Sequence, residues 1–153
     1  LKHNDVVVVS DWETAYYTNF SGSSGRGPQP MVVSYGSSPA AEVIFAETEL
    51  AQAPTGSIIG PDTCFRQIEF VGILKNAANP DLAKLFVDFM LSVPFQEDIP
   101  MQMFVFPVNP QASLPQAFLE HVDIPDQPAS LPPELIDAKR EAWINAWLET
   151  VLD

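Results

Sequence analysis

A single cysteine, Cys64, in 153 residues excludes an intrachain disulfide and a cysteine-based zinc site. Two histidines are too few for a histidine-rich metal centre. Basic residues are scarce as well: seven Lys+Arg against twenty Asp+Glu give a net charge of −13. Phosphate backbones and anionic lipids are bound by basic patches, so this balance argues against a nucleic-acid partner and against docking on an acidic membrane. It permits a cationic ligand, although net charge chiefly governs solubility. No apolar run approaches the roughly 20 residues of a membrane span. No Gly-rich phosphate loop with P-loop or dinucleotide-binding spacing is present. An initiating methionine is also missing. The chain opens at Leu1-Lys2-His3-Asn4-Asp5 and runs at once into Val6–Val9, which reads as a piece of a longer protein with an incomplete site.

What is present is globular in composition, 46% hydrophobic and 10% aromatic. Asp5–Val9 and Pro30–Tyr35 read as buried strands, with shorter strand-like runs at Ile58-Ile59 and Pro100–Asn109. Arg66–Leu74 is apolar and compatible with strand or helix. Ser10 and Glu13 have capping-box spacing and predict a helix to about Phe20. Ser21–Pro28 (SGSSGRGP) reads as a flexible loop or hairpin-like excursion. Ser38-Pro39 predicts a helix to about Glu49, with Ser38 as N-cap. Asn79-Pro80 starts another, with Leu82, Leu85, Phe86, Phe89 and Met90 on one face, and Pro94 ends it. Residues 110–133 hold six of the fifteen prolines and read as an ordered arm. Ile136, Trp143, Ile144, Trp147, Leu148, Val151 and Leu152 form a wide apolar stripe on a last helix that needs a packing partner. Strands alternating with helices predict an α/β domain with a parallel or mixed sheet.

Few constellations suit catalysis. Cys64 beside Arg66 is a nucleophile activated by a cation or a small half-buried apolar residue. His121, near Glu120 and Asp123, lacks a partner pattern for a general base, and Glu97-Asp98 reads as a solvated pair. Tyr35-Gly36-Ser37-Ser38 joins a strand end to a helix start, where open α/β sheets bind ligands and helix N–H groups face anions. Plain N-capping accounts for Ser38 equally. Trp12 occupies an equivalent strand-to-helix position, where an indole packs in the core or walls a pocket.

Several stretches resemble the solute-binding proteins of thiamine ABC importers. They are Trp12-Glu13-Thr14-Ala15-Tyr16, Val32–Ala40 (VVSYGSSPA), Arg66-Gln67-Ile68-Glu69 and Asn79–Ala83 with Phe86–Met90. Phe95–Pro100, Phe106-Pro107-Val108 and Arg140–Ile144 with Trp147 continue the resemblance in the same order. It implies the C-terminal half of a two-lobed type II periplasmic-binding fold, a mixed sheet flanked by helices. Residues 1–75 would form the rest of the second lobe and the crossover, and residues 76–153 the segments returning to the first lobe. It also implies a periplasmic carrier, not an enzyme, that needs no cofactor, closes on thiamine, thiamine monophosphate or thiamine diphosphate, and delivers it to ABC permease subunits. The family's ligand-contacting tryptophan matches Trp12, its Tyr-x-x-Ser loop matches Tyr35, Gly36, Ser37 and Ser38, and a later pocket aromatic matches Phe104. A tyrosine that some members place three residues beyond the loop serine falls on Ala41 here. The other readings are the same fold holding another cation, a polyamine or an iron complex, and a thiamine-degrading enzyme with Cys64 as nucleophile. Uncovered lobe surfaces would also allow the fragment to dimerise.

Overall fold

A computed structural model describes residues 2–151. Among the described residues its α-helices are α1 (Ser21–Ser24), α2 (Ser38–Ile44), α3 (Pro80–Met90), α4 (Val93–Met103), α5 (Gln116–His121) and α6 (Pro133–Val151). A 3-10 turn covers Lys2–Asn4 and a π-helix covers Thr14–Asn19.

The expected mixed sheet is absent among the described residues, which hold only two isolated parallel bridges, Phe20 to Gln29 and Phe65 to Ala129. Apolar continuity marks a segment as extended, but a sheet also needs a neighbour to take each N–H and C=O, and that neighbour is not encoded locally. Val6–Val8 and Met31–Tyr35, read as strands, and Arg66–Leu74, read as strand or helix, form neither a helix nor a strand ladder, and their large side chains are mostly exposed.

The chain divides into two compact units. The first comprises residues 1–34, 60–65 and 127–153. Its ordered centre is the turn after Asp11. One Asp11 oxygen accepts the Thr14 N–H at 2.8 Å, and the other accepts the Thr14 and Ser10 hydroxyls at 3.0 and 2.8 Å. Asp11 therefore does the capping expected of Ser10 and Glu13, because a carboxylate two or three residues before a free N–H is the stronger acceptor. The backbone then widens, with Phe20 N–H donating to the Ala15 carbonyl five residues back at 3.0 Å. Tyr16 and Phe20 are buried from this segment, their ring centroids 5.5 Å apart.

The glycine- and serine-rich excursion is clasped, not loose. Ser21 N–H donates to Gln29 C=O and Gln29 N–H to Asn19 C=O, both at 2.8 Å. Gly25 closes α1 in the left-handed region at φ 64°, and Gly27 passes so close to the Asn19 and Phe20 carbonyls that a side chain has no room. Elsewhere in this unit, Gly60–Phe65 meets residues 127–129 through Asp62 N–H to Gln127 C=O (3.0 Å) and Ala129 N–H to Cys64 C=O (2.7 Å). Helix α6 forms as its spacing predicts. Among the described residues of its apolar stripe, Trp143, Ile144, Trp147 and Leu148 are exposed, and Ile136 and Val151 are half-buried. Leu152 lies outside the described residues.

The second unit comprises residues 35–59 and 66–126. Helix α2 packs on α5, with Ala40 of α2 and Phe118 of α5 both fully buried, and the Phe118 ring meets Phe106 edge-on at 5.6 Å. Helices α3 and α4 meet through Phe89 and Phe95, 5.3 Å apart and near perpendicular. Pro94 sits in the first turn of α4, as expected of a helix start, but the helix continues through Pro100 where an extended run was predicted. Pro100 is accommodated because its ring is wholly buried, so packing offsets the hydrogen bond it removes.

Gly27→Ala should lower stability by about 1–3 kcal/mol, since the added methyl must displace backbone carbonyls rather than a flexible side chain. Urea unfolding followed by circular dichroism measures this, and an unchanged midpoint would show that the excursion is not clasped.

Candidate functional site

The first unit carries Trp12. Its indole N–H donates to the Ser34 hydroxyl at 3.0 Å, and its ring stacks on Tyr16 with centroids 4.8 Å apart and planes 22° from parallel. Tyr16 is buried and backs the indole, whereas 40% of Trp12 remains exposed. The side chain is thus fixed at its polar edge and along one face, and still presents surface. Tyr17 stands edge-on to Trp12, with centroids 5.4 Å apart and planes at 82°. The Asp11 carboxylate precedes the tryptophan. Its backbone bond from Thr14, then the hydroxyl bonds from Ser10 and Thr14, hold its pKa below the usual aspartate value. The stabilisation this brings is present above the ordinary aspartate pKa and is lost as pH falls through the lowered one.

The second unit carries the remaining predicted residues. Tyr35 is 60% exposed, and its carbonyl accepts the Ser38 N–H at 3.0 Å in the tight turn that opens α2. Gly36 is exposed, and its carbonyl accepts the Ser57 hydroxyl at 3.0 Å. Ser37, not Ser38, occupies the N-cap position. It is buried, makes no side-chain capping bond, and accepts the Ala41 N–H on its carbonyl at 3.2 Å. Ser38 is the first helical residue and half-buried.

Phe104 is the C-cap of α4, left-handed at φ 56° and ψ 27°, and not part of the strand-like run read at Pro100–Asn109. That conformation normally falls to glycine and costs a phenylalanine on the order of 1–3 kcal/mol. Two contacts hold it. Its ring meets Phe45 at 5.1 Å, and the segment that follows is clamped by the buried side chain of Gln96. The Gln96 amide donates to Met90 C=O at 2.7 Å, and its oxygen accepts Val108 N–H at 2.7 Å and Asn109 N–H at 3.4 Å. The Asn109 amide adds a bond to Leu91 C=O at 2.9 Å. Phe45 caps the C-terminal end of α2 and Ser37 its N-terminal end, so Ser37 and the Phe45–Phe104 contact are separated by the length of α2, about 12 Å. The structure thus ties Phe104 to the end of α2 opposite the serines.

Ser34, Tyr17 and Gln96 were not picked out by sequence reasoning. A Trp at i and a Tyr at i+4 are neighbours on an ordinary helix, so Tyr16 was within reach of pattern alone. Tyr17, at i+5, was not. Cys64 is half-buried, with its sulfur 3.7 Å from the Thr63 hydroxyl and its carbonyl in the bond to Ala129. His121 lies 3.8 Å from Glu120, and Glu97 accepts the Ser113 N–H at 3.0 Å. No group of three His, Cys, Asp or Glu could hold a metal among the described residues, and no helix among them is long and apolar enough to cross a membrane.

No protein-family model matches the chain, and no solved structure matches it. Among curated proteins, it is 31% identical over 149 residues to the thiamine-binding periplasmic protein of Brucella suis biovar 1 (strain 1330), covering 97% of this chain and 42% of that protein. It is 30% identical over 146 residues to the thiamine-binding periplasmic protein of Salmonella typhimurium, covering 95% of the chain and 41% of the relative. With the Escherichia coli (strain K12) protein of the same name it shares 29% over 151 residues, 99% of the chain and 43% of the relative. The chain therefore spans less than half the length of the curated relatives it matches, and the resemblance read from its motifs extends over nearly all of it.

Gln96→Ala would remove the side-chain partner of the Val108 N–H and of the Met90 carbonyl, a loss of about 1–3 kcal/mol. Thermal or urea unfolding would show it, and a change under about 0.5 kcal/mol, as for an ordinary surface substitution, would contradict the clamp.

Proposed function

We propose that this chain provides part of the ligand-recognition surface of an extracytoplasmic solute-binding protein that captures thiamine, or its mono- or diphosphate, for an ABC permease. One observation carries the reading: similarity to proteins named thiamine-binding periplasmic protein runs over 97% of the chain. The chemistry of Trp12 supports it. Thiamine joins a cationic thiazolium to a flat aminopyrimidine, and an indole held at its N–H by Ser34 and backed by Tyr16 offers a rigid π surface to either ring. Rigidity matters because a side chain already ordered in the free protein loses little freedom on binding. The net charge of −13 favours the approach of a cation, weakly at physiological salt. In this reading the protein binds and releases its ligand unchanged, and Cys64, tied into the backbone contact with Ala129, has no chemical role.

Thiamine added to the protein expressed from its complete gene should bind with a calorimetric heat and quench tryptophan fluorescence. Trp12→Ala should weaken binding at least about tenfold, equivalent to about 1.4 kcal/mol and within the range of one desolvated cation–π contact. Unaltered affinity in that variant would remove Trp12 from the site.

A further inference from the structure

We infer that Tyr17 is a ligand-contacting, specificity-determining residue: with Trp12 it forms a right-angled aromatic corner that receives the cationic ring of the ligand. This rests on the thiamine-binding reading above.

On an α-helix, five residues turn the chain by about 140° past its starting direction, so the side chain at i+5 points away from the one at i. Tyr17 would then face away from Trp12. The segment Thr14–Asn19 is instead a π-helix, closed by the bond from Phe20 N–H to Ala15 C=O. A turn that closes five residues back holds more residues, and i+4 and i+5 both fall beside i. Trp12 consequently meets Tyr16 and Tyr17 together. Such turns are rare and recur at functional sites.

The two tyrosines do different things. Tyr16 lies nearly parallel to the indole and is buried, which is the behaviour of a packing residue. Tyr17 stands at 82° to Trp12 and 78° to Tyr16, and 59% of it is exposed. Burial of Tyr17 therefore does not account for the irregular turn. Trp12 has one face covered by Tyr16, and the exposed Tyr17 ring beside it at a right angle adds a second π surface for a small cation, as rings in aromatic cages do for quaternary nitrogen. The exposed Asp11 carboxylate, immediately before Trp12, adds charge of the complementary sign.

The test uses the protein expressed from its complete gene, titrated with thiamine. Tyr17→Leu should weaken binding at least about fivefold, and Tyr17→Phe, which keeps the ring, should stay within about twofold of the parent. Leucine affinity equal to the parent, or phenylalanine as weak as leucine, would overturn the inference. Should Tyr17→Leu fail to fold, replacing Tyr17 by phenylalanine and then by its ring-fluorinated analogues keeps the shape while draining the π face. A stepwise loss of affinity with fluorination supports the corner, and a flat series overturns it. A parent protein that binds no thiamine would instead overturn the proposed function, an outcome read before any variant is made.

Discussion

The wide turn between Thr14 and Asn19 is the constraint on which the first unit depends. It sets three aromatic side chains, Trp12, Tyr16 and Tyr17, in mutual contact, and it delivers Phe20 to its bridge with Gln29. Asp11 holds the start of the turn by taking the Thr14 N–H, and the excursion through Gly27 holds its end by taking the Asn19 carbonyl and returning one to Ser21. Both ends are fixed by polar groups and its middle by Tyr16 and Phe20. The turn thus keeps an irregular geometry that its own hydrogen bonds would not select.

The second unit solves a similar problem with different means. Here an aromatic residue, Phe104, is held in an unfavourable backbone state, a left-handed C-cap. The support is a single buried amide: Gln96 bonds in one direction to the end of α3 and in the other to the segment after Phe104. Pro100, four residues after Gln96, supplies no N–H to the helix and is buried whole, so the same stretch of α4 provides both the packing and the clamp. In the second unit, then, the candidate ligand aromatic Phe104 lies at a strained backbone position that the surrounding structure over-determines.

Helices were legible where they carry their own periodicity and their own start. Asn79-Pro80 and the apolar spacing of Leu82 to Met90 marked α3, and the stripe from Ile136 through Trp147 marked α6. The sheet was misread because valine-rich runs encode extension and leave pairing to distant residues. The stretch Pro100–Met103 was misread because proline normally breaks a helix, and only burial of its ring reverses that. Of the candidate site, Trp12 and Tyr35 were visible as aromatics at segment junctions. The partners that orient them were not: Ser34 reaches Trp12 across 22 positions, and neither the π turn nor the conformation of Phe104 has a local code.

The central claim is that the Trp12 indole, anchored on Ser34, is the surface that thiamine meets. The most direct measurement follows the indole N–H resonances of Trp12, Trp143 and Trp147 in a nitrogen-15 correlation spectrum of the protein expressed from its complete gene, through a thiamine titration, each assigned by substituting that tryptophan. The account predicts that the Trp12 resonance shifts with saturation and that those of Trp143 and Trp147, on the exposed helix α6, stay in place. A stationary Trp12 signal alongside a saturating shift at Trp143 or Trp147 would contradict it.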